Sequence, residues 1–64
     1  MTINFYASNH RLGDGRISEG EEWESTEEIR TRAVALAGVW GCEWVNVYES
    51  GDPEMLMQVN ASGL

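Results

Sequence analysis

Ser25–Gly41, STEEIRTRAVALAGVWG, is the one segment with the pattern of a helix, and the rest of the fold can be built around it. Ser25 and Glu28 have the spacing of a capping box, in which the hydroxyl and the carboxylate each accept a hydrogen bond from an otherwise free backbone N–H. Gly41 can take the left-handed conformation that ends a helix. Apolar residues recur at the spacing of one helical face at Ile29, Ala33, Leu36, Ala37 and Trp40. The sequence therefore predicts one helix on which the remaining elements pack. Glu28 and Arg32 are four residues apart and predict an ion pair along it.

Three other segments alternate apolar and polar residues and predict β-strands. They are Ile3–Ser8 (INFYAS), Glu43–Glu49 (EWVNVYE) and Met55–Asn60 (MLMQVN). The second and third are joined by a turn at Ser50–Pro53, so we expect them to be antiparallel neighbours.

The segment between the first strand and the helix is interpreted mainly as a loop. Gly13-Asp14-Gly15 has the chemistry of a tight turn, and its arms, His10–Leu12 and Arg16–Ser18, either pair as a short hairpin or remain irregular. Glu19–Glu24 (EGEEWE) is polar and self-repelling, so it is predicted to be a loop leading into the helix. Trp23 is predicted to lie over the first helical turn and to anchor this loop.

These elements predict a single small acidic α+β domain over residues 1–64, with the order β-α-β-β. The helix packs on one face of an antiparallel sheet of three strands, or of four if the hairpin forms, and the simplest arrangement pairs the first strand with the last. The other face of the sheet has no cover within the chain. Trp44 and Tyr48 alternate onto that face and are candidates for self-association, so the chain is expected to be a monomer or a homodimer.

Charge and composition exclude several kinds of partner and compartment. The chain has 11 acidic residues against four arginines and a net charge of −7, so it would be repelled by nucleic-acid phosphates and by an anionic membrane. The first residues lack the basic start and apolar run of a signal peptide, and the single Cys42 has no partner for an internal disulfide. We therefore expect a cytoplasmic protein that binds neither nucleic acid nor membrane directly.

The sequence carries no recognisable catalytic, cofactor or zinc signature. His10 and Cys42 are the only imidazole and the only thiol, and they fall in different elements. The chain is predicted not to be an enzyme and to need no cofactor or metal. Weak divalent-cation binding by Glu21, Glu22 and Glu24 is a third, separate interpretation of the acidic run.

The strongest functional signal is six carboxylates within ten positions, with no base among them. They are Glu19, Glu21, Glu22, Glu24, Glu27 and Glu28. On one side of the molecule, such groups would resemble successive phosphates and would fit the Lys/Arg groove of a nucleic-acid-binding protein. Together with Trp23 they are the predicted partner-binding residues. The alternative is that the cluster only keeps a small protein soluble.

The short acidic chain, the run EGEEWESTEE at 19–28 and the lack of catalytic groups resemble, at the level of class, the small phage-encoded inhibitors known as anti-CRISPR proteins. Several of these act as DNA mimics. The resemblance rests on no motif and transfers no residue role. It implies a non-enzymatic inhibitor, acting in the host-cell cytoplasm if phage-encoded, that blocks the DNA-binding surface of a Cas effector. The alternative is a small accessory or assembly module that homodimerises through the uncovered sheet face, with the charge serving solubility.

Overall fold

The computed structural model describes residues 1–64 and shows one helix on one face of a four-stranded antiparallel sheet. Along the chain the elements are β1 (Thr2–Ala7), β2 (Ile17–Glu22), α1 (Thr26–Trp40), β3 (Trp44–Glu49) and β4 (Met55–Asn60). The strands lie side by side in the order β2-β1-β3-β4. The α+β class is confirmed, and the order of elements is β-β-α-β-β instead of the predicted β-α-β-β.

The helix begins and ends at the predicted capping residues. The Ser25 hydroxyl accepts a hydrogen bond from the Glu28 N–H, and the Glu28 carboxylate accepts one from the Ser25 N–H at 3.1 Å. Gly41 has a φ of 62°, the left-handed conformation that frees the chain to turn into β3. The predicted ion pair between Glu28 and Arg32 is wrong, because Glu28 is held at the cap and Arg32 binds Glu21 instead.

The segment Ile17–Glu22 is an edge strand. The prediction of a loop at Glu19–Glu24 is therefore wrong for its first four residues, Glu19–Glu22. The strand pairs with β1, with Tyr6 opposite Ile17 and Thr2 opposite Glu22. A bulge opposite Asn4 interrupts the alternation, and Gly20 takes a φ of 76° there. β2 buries no residue fully, and its hydrogen bonds are made by its backbone to the backbone of β1. Its side chains can therefore be almost all polar, because the pairing does not depend on them. The short hairpin between His10–Leu12 and Arg16–Ser18 does not form, since the first arm is not a strand.

The predicted pairing of the first strand with the last is also wrong. β1 pairs with β3, placing Ile3 opposite Glu49 and Ala7 opposite Val45, while β4 pairs with β3 alone and forms the other edge. β1 is the most apolar strand on its inner side, and a central position covers that side completely. β4 keeps Met55 and Leu56 exposed, which an edge position permits.

One contiguous core lies between α1 and the inner face of the sheet. Its buried residues are Ile3, Phe5, Ala7, Ile29, Ala33, Leu36, Ala37, Cys42, Val45, Val47 and Val59. Trp23 and Trp40 pack against its margin, as does Met57. The outer face, here called the open face, is not covered by the helix and carries the half-buried side chains of Tyr6, Trp44 and Tyr48. The helix is neither long nor apolar enough to cross a membrane.

Candidate functional site

The strand register brings acidic residues from separate segments to one end of the sheet. Because Thr2 lies opposite Glu22 and Ile3 opposite Glu49, the last residues of β2 and β3 flank the first residues of β1. The start of α1 follows β2 at this end, and the β3–β4 turn follows β3. We call this region the acidic end. Its exposed carboxylates are Glu22, Glu24, Glu27, Glu28, Glu49, Asp52 and Glu54.

The acidic end has almost no counter-charge of its own. Its one ion pair joins the N-terminal amine to the Glu22 carboxylate at 3.7 Å, and the same amine donates a hydrogen bond to the Trp23 carbonyl at 2.8 Å. None of the four arginines forms an ion pair with a carboxylate of the acidic end. Arg16 pairs with Asp14, and Arg32 pairs with Glu21. Arg30 donates a hydrogen bond to the Gly63 carbonyl, and Arg11 lies in the β1–β2 loop. Most of the carboxylates of the chain therefore lie at one end of the molecule, away from its arginine ion pairs.

The predicted partner-binding residues are divided between different surfaces. Four of them, Glu22, Glu24, Glu27 and Glu28, lie at the acidic end. The Glu19 carboxylate accepts a hydrogen bond from the Tyr6 hydroxyl at 3.0 Å on the open face. Glu21 lies opposite Ile3 on the helix side of β2. The expectation that all six share one surface is wrong, because the bulge at Gly20 adds a residue to β2 and so places Glu19 and Glu21 on opposite faces of the sheet.

Glu21 is bound to an arginine of its own chain and holds β2 against α1. Its oxygens accept hydrogen bonds from Arg32 Nε at 2.9 Å and Nη2 at 3.0 Å, from Trp23 Nε1 at 2.9 Å and from the Ser18 hydroxyl. Burial alone would raise the pKa of Glu21, but these bonds outweigh it and hold that pKa below its usual range. The hydrogen bonds that Arg32 donates to Glu21 raise the pKa of Arg32. Glu21 therefore supports the fold and is not free to meet a partner.

This ion pair predicts a specific dependence of stability on pH. Because the pKa of Glu21 is lower in the folded state, its contribution is present above the ordinary value of 4.5 and is lost as pH falls through the folded value. Glu21→Gln is expected to lower the free energy of unfolding at neutral pH by on the order of 1 kcal/mol, and to make its fall on acidification shallower. Urea unfolding followed by tryptophan fluorescence at neutral pH and at about pH 3 measures both effects.

The matched control for that prediction is Glu24→Gln. Glu24 is exposed and its carboxylate has no hydrogen bond or ion pair, so the variant should keep the pH dependence of the wild type. Equal pH dependence of Glu21→Gln and the wild type would contradict the role assigned to the pair.

Trp23 lies beside the first turns of the helix, as predicted. Its side chain packs against the core, and it lines a groove of about 450 Å³ together with Ser25, Glu27 and Arg32. It is thus an anchor for the segment between β2 and α1, and it shares its groove with Glu27 and Glu28 of the acidic end.

A second groove, of about 590 Å³, lies on the open face. Tyr6 and Tyr48 line it, with ring centroids 5.7 Å apart and ring planes at 75°. The His10 ring is 5.9 Å from that of Tyr6, and its Nδ1 lies 3.0 Å from the Ala7 carbonyl, so Nδ1 carries the proton and donates. Burial, together with the hydrogen bond to Glu19, raises the pKa of Tyr6. Trp44, the other candidate for self-association, is half-buried on this face.

Sequence reasoning missed part of the acidic end, namely Glu49, Asp52 and Glu54. They are distant in sequence from the Glu19–Glu28 run, and only the pairing of β3 beside β1 brings them near it.

No group of three or more His, Cys, Asp and Glu side chains is arranged to hold a metal ion. Comparisons with protein-family models, curated proteins and solved structures found no match. The surfaces described here offer electrostatic and aromatic contacts to a binding partner.

Proposed function

We propose that this chain is a non-enzymatic inhibitor that binds the basic surface of a nucleic-acid-binding protein, such as a Cas effector subunit, and blocks DNA binding. The observation that supports this most is the acidic end, which gathers carboxylates from the segment between β2 and α1, from the end of β3 and from the β3–β4 turn. Among these carboxylates only Glu22 forms an ion pair, with the N-terminal amine. A surface of this kind attracts the same Lys/Arg groove that binds phosphates.

The dimensions of the acidic end suit a basic groove. Glu22 and Glu49 end strands that lie on either side of β1, so their backbones are separated by two interstrand spacings, or about 10 Å. Glu24, Glu27 and Glu28 continue the surface over the helix start, and Asp52 and Glu54 continue it over the β3–β4 turn. Contact with a basic partner would release counterions from both surfaces, so the affinity would fall as salt rises.

The test is competition with DNA. Purified Cas effectors, each bound to a fluorescent target duplex, are titrated with the chain at roughly 50 mM and roughly 300 mM salt, and DNA release is followed by anisotropy. We expect DNA to be displaced from at least one effector at low salt, with the apparent affinity of the chain about 10-fold weaker or more at high salt. A folded chain that displaces DNA from none of them at low salt would contradict the proposal.

The alternative function is a small accessory or assembly module that homodimerises through the open face. The observation that favours it is that Tyr6, Trp44 and Tyr48 lie on a sheet face with no cover in this chain. In that case the charge serves solubility. Sedimentation would then show a dimer that Trp44→Ala or Tyr48→Ala converts to a monomer and that salt hardly changes.

A further inference from the structure

The groove on the open face adjoins the acidic end. The rings of Tyr6 in β1 and Tyr48 in β3 line it, and residues of the β3–β4 turn, including Asp52, line it on the side of the acidic end. A partner held against the acidic end would therefore lie with part of its chain over this groove. None of the groove residues belongs to the acidic run that the sequence analysis singled out.

The groove combines aromatic rings with carboxylates. The two tyrosine rings stand at 75° to one another and form a corner, an arrangement in which a cation can contact the face of a ring. Asp52 Oδ1 accepts a hydrogen bond from the Glu54 N–H at 2.9 Å, whereas its Oδ2 has no partner. Glu49 is the second acidic residue that lines the groove. Glu19 lies outside the lining but on the same face, where its carboxylate accepts a hydrogen bond from the Tyr6 hydroxyl at 3.0 Å. The lining is therefore complementary to a positively charged group with a flat face.

We infer that this groove receives an arginine side chain of the basic partner, an inference that rests on the proposed function. A guanidinium is planar and weakly hydrated, so it stacks on tyrosine while its N–H groups reach a carboxylate. A lysine ammonium is a strongly hydrated point charge and gains less from two rings. Anionic ligands are disfavoured by Asp52, Glu19 and the net charge of −7.

The test uses the full chain and a five-residue glycine–serine peptide with one central arginine. The matched peptide carries citrulline, which keeps the shape and removes the charge, and a third carries lysine. Binding is followed by ¹H–¹⁵N NMR. We expect the arginine peptide to shift the NMR signals of Tyr6, Asn46 and Tyr48, which line the groove. It should bind about 10-fold more tightly than the citrulline peptide. The lysine peptide should bind more weakly than the arginine peptide.

Three variants separate stacking from charge. Tyr48→Leu removes a ring and should weaken arginine-peptide binding by roughly 3- to 10-fold, while Tyr48→Phe keeps the ring and should retain the wild-type affinity. Asp52→Asn can keep the hydrogen bond to the Glu54 N–H and should weaken binding through charge alone. The dispersion of the NMR spectrum reports whether each variant is folded.

Equal binding of the arginine and citrulline peptides would overturn the inference. So would shifts confined to Glu22, Glu24, Glu27 and Glu28, the acidic residues near the helix start that do not line the groove. DNA displacement that Glu24→Gln weakens but Tyr48→Leu and Asp52→Asn leave unchanged would overturn the groove assignment and support the proposed function. Arginine-specific shifts in the groove, without displacement of DNA from any effector, would support the groove as an arginine site and contradict the proposed function.

Discussion

Phe5→Ala is expected to remove a large part, or all, of the free energy of unfolding of this domain. Phe5 is fully buried in β1, between Ser18 of β2 and Val47 of β3, and no other fully buried side chain is larger. Truncating a buried phenylalanine costs about 3–5 kcal/mol, because apolar area is lost and a cavity remains. A domain of 64 residues has a total stability of roughly 3–10 kcal/mol. The single cysteine is free, so no disulfide offsets the loss.

Urea unfolding at 25 °C, followed by circular dichroism, measures the effect of Phe5→Ala. The matched control is Leu12→Ala, which also truncates a large apolar residue, but one that is 104% exposed in the β1–β2 loop. The control should change the free energy of unfolding by no more than about 0.5 kcal/mol. A loss below about 1 kcal/mol for Phe5→Ala would contradict the position of this side chain in the core.

Neutralising the acidic end is expected to abolish most of the affinity for the basic partner without harming the fold. The triple variant Glu24→Gln, Glu27→Gln, Glu54→Gln removes carboxylates that make no hydrogen bond or ion pair within the chain. We expect the affinity at low salt to fall on the order of 10- to 100-fold, since each exposed pair contributes up to about 1 kcal/mol. The affinity should also depend less on salt, because fewer counterions are released. The DNA-displacement assay measures both.

A matched pair of single variants separates the position of the charge from its total. Glu24→Gln and Glu43→Gln each remove one exposed carboxylate, the first at the acidic end and the second at the opposite end of the sheet. Glu24→Gln should weaken binding more than Glu43→Gln, which should change it by less than about 2-fold. Equal effects would show that only net charge matters and would favour the alternative in which the acidic run serves solubility.

The helix could be predicted from the sequence because its signals are local. The capping pair Ser25 and Glu28, the terminal Gly41 and the apolar spacing all lie within one segment, and each is decided by neighbours a few residues away. β3 and β4 could be predicted for a similar reason, since both alternate and a short turn joins them. The existence of an uncovered sheet face then follows from having only one helix.

β2 could not be predicted, because its residues resemble a loop and become a strand only when β1 offers them a pairing edge. The partner of Arg32 was wrongly predicted for a related reason. The helix spacing favours Glu28, but the register of β2 brings Glu21 to the helix side and leaves Glu28 to the cap. In both cases a contact between segments that are distant in the sequence forms in place of the structure that the neighbouring residues favour. An i,i+4 pair on a helix is worth only about 0.2–0.5 kcal/mol, so it is easily replaced.

Local sequence patterns were sufficient to predict the helix, the two C-terminal strands, the inner apolar face and the concentration of acidic residues before the helix. Contacts between distant segments set the strand order, pair Glu21 with Arg32, and bring Glu22 and Glu49 to the same end of the sheet. The physical reason is that caps and periodicity depend on residues within one or two turns, whereas the pairing of strands depends on which edges and apolar faces the whole chain can bury together.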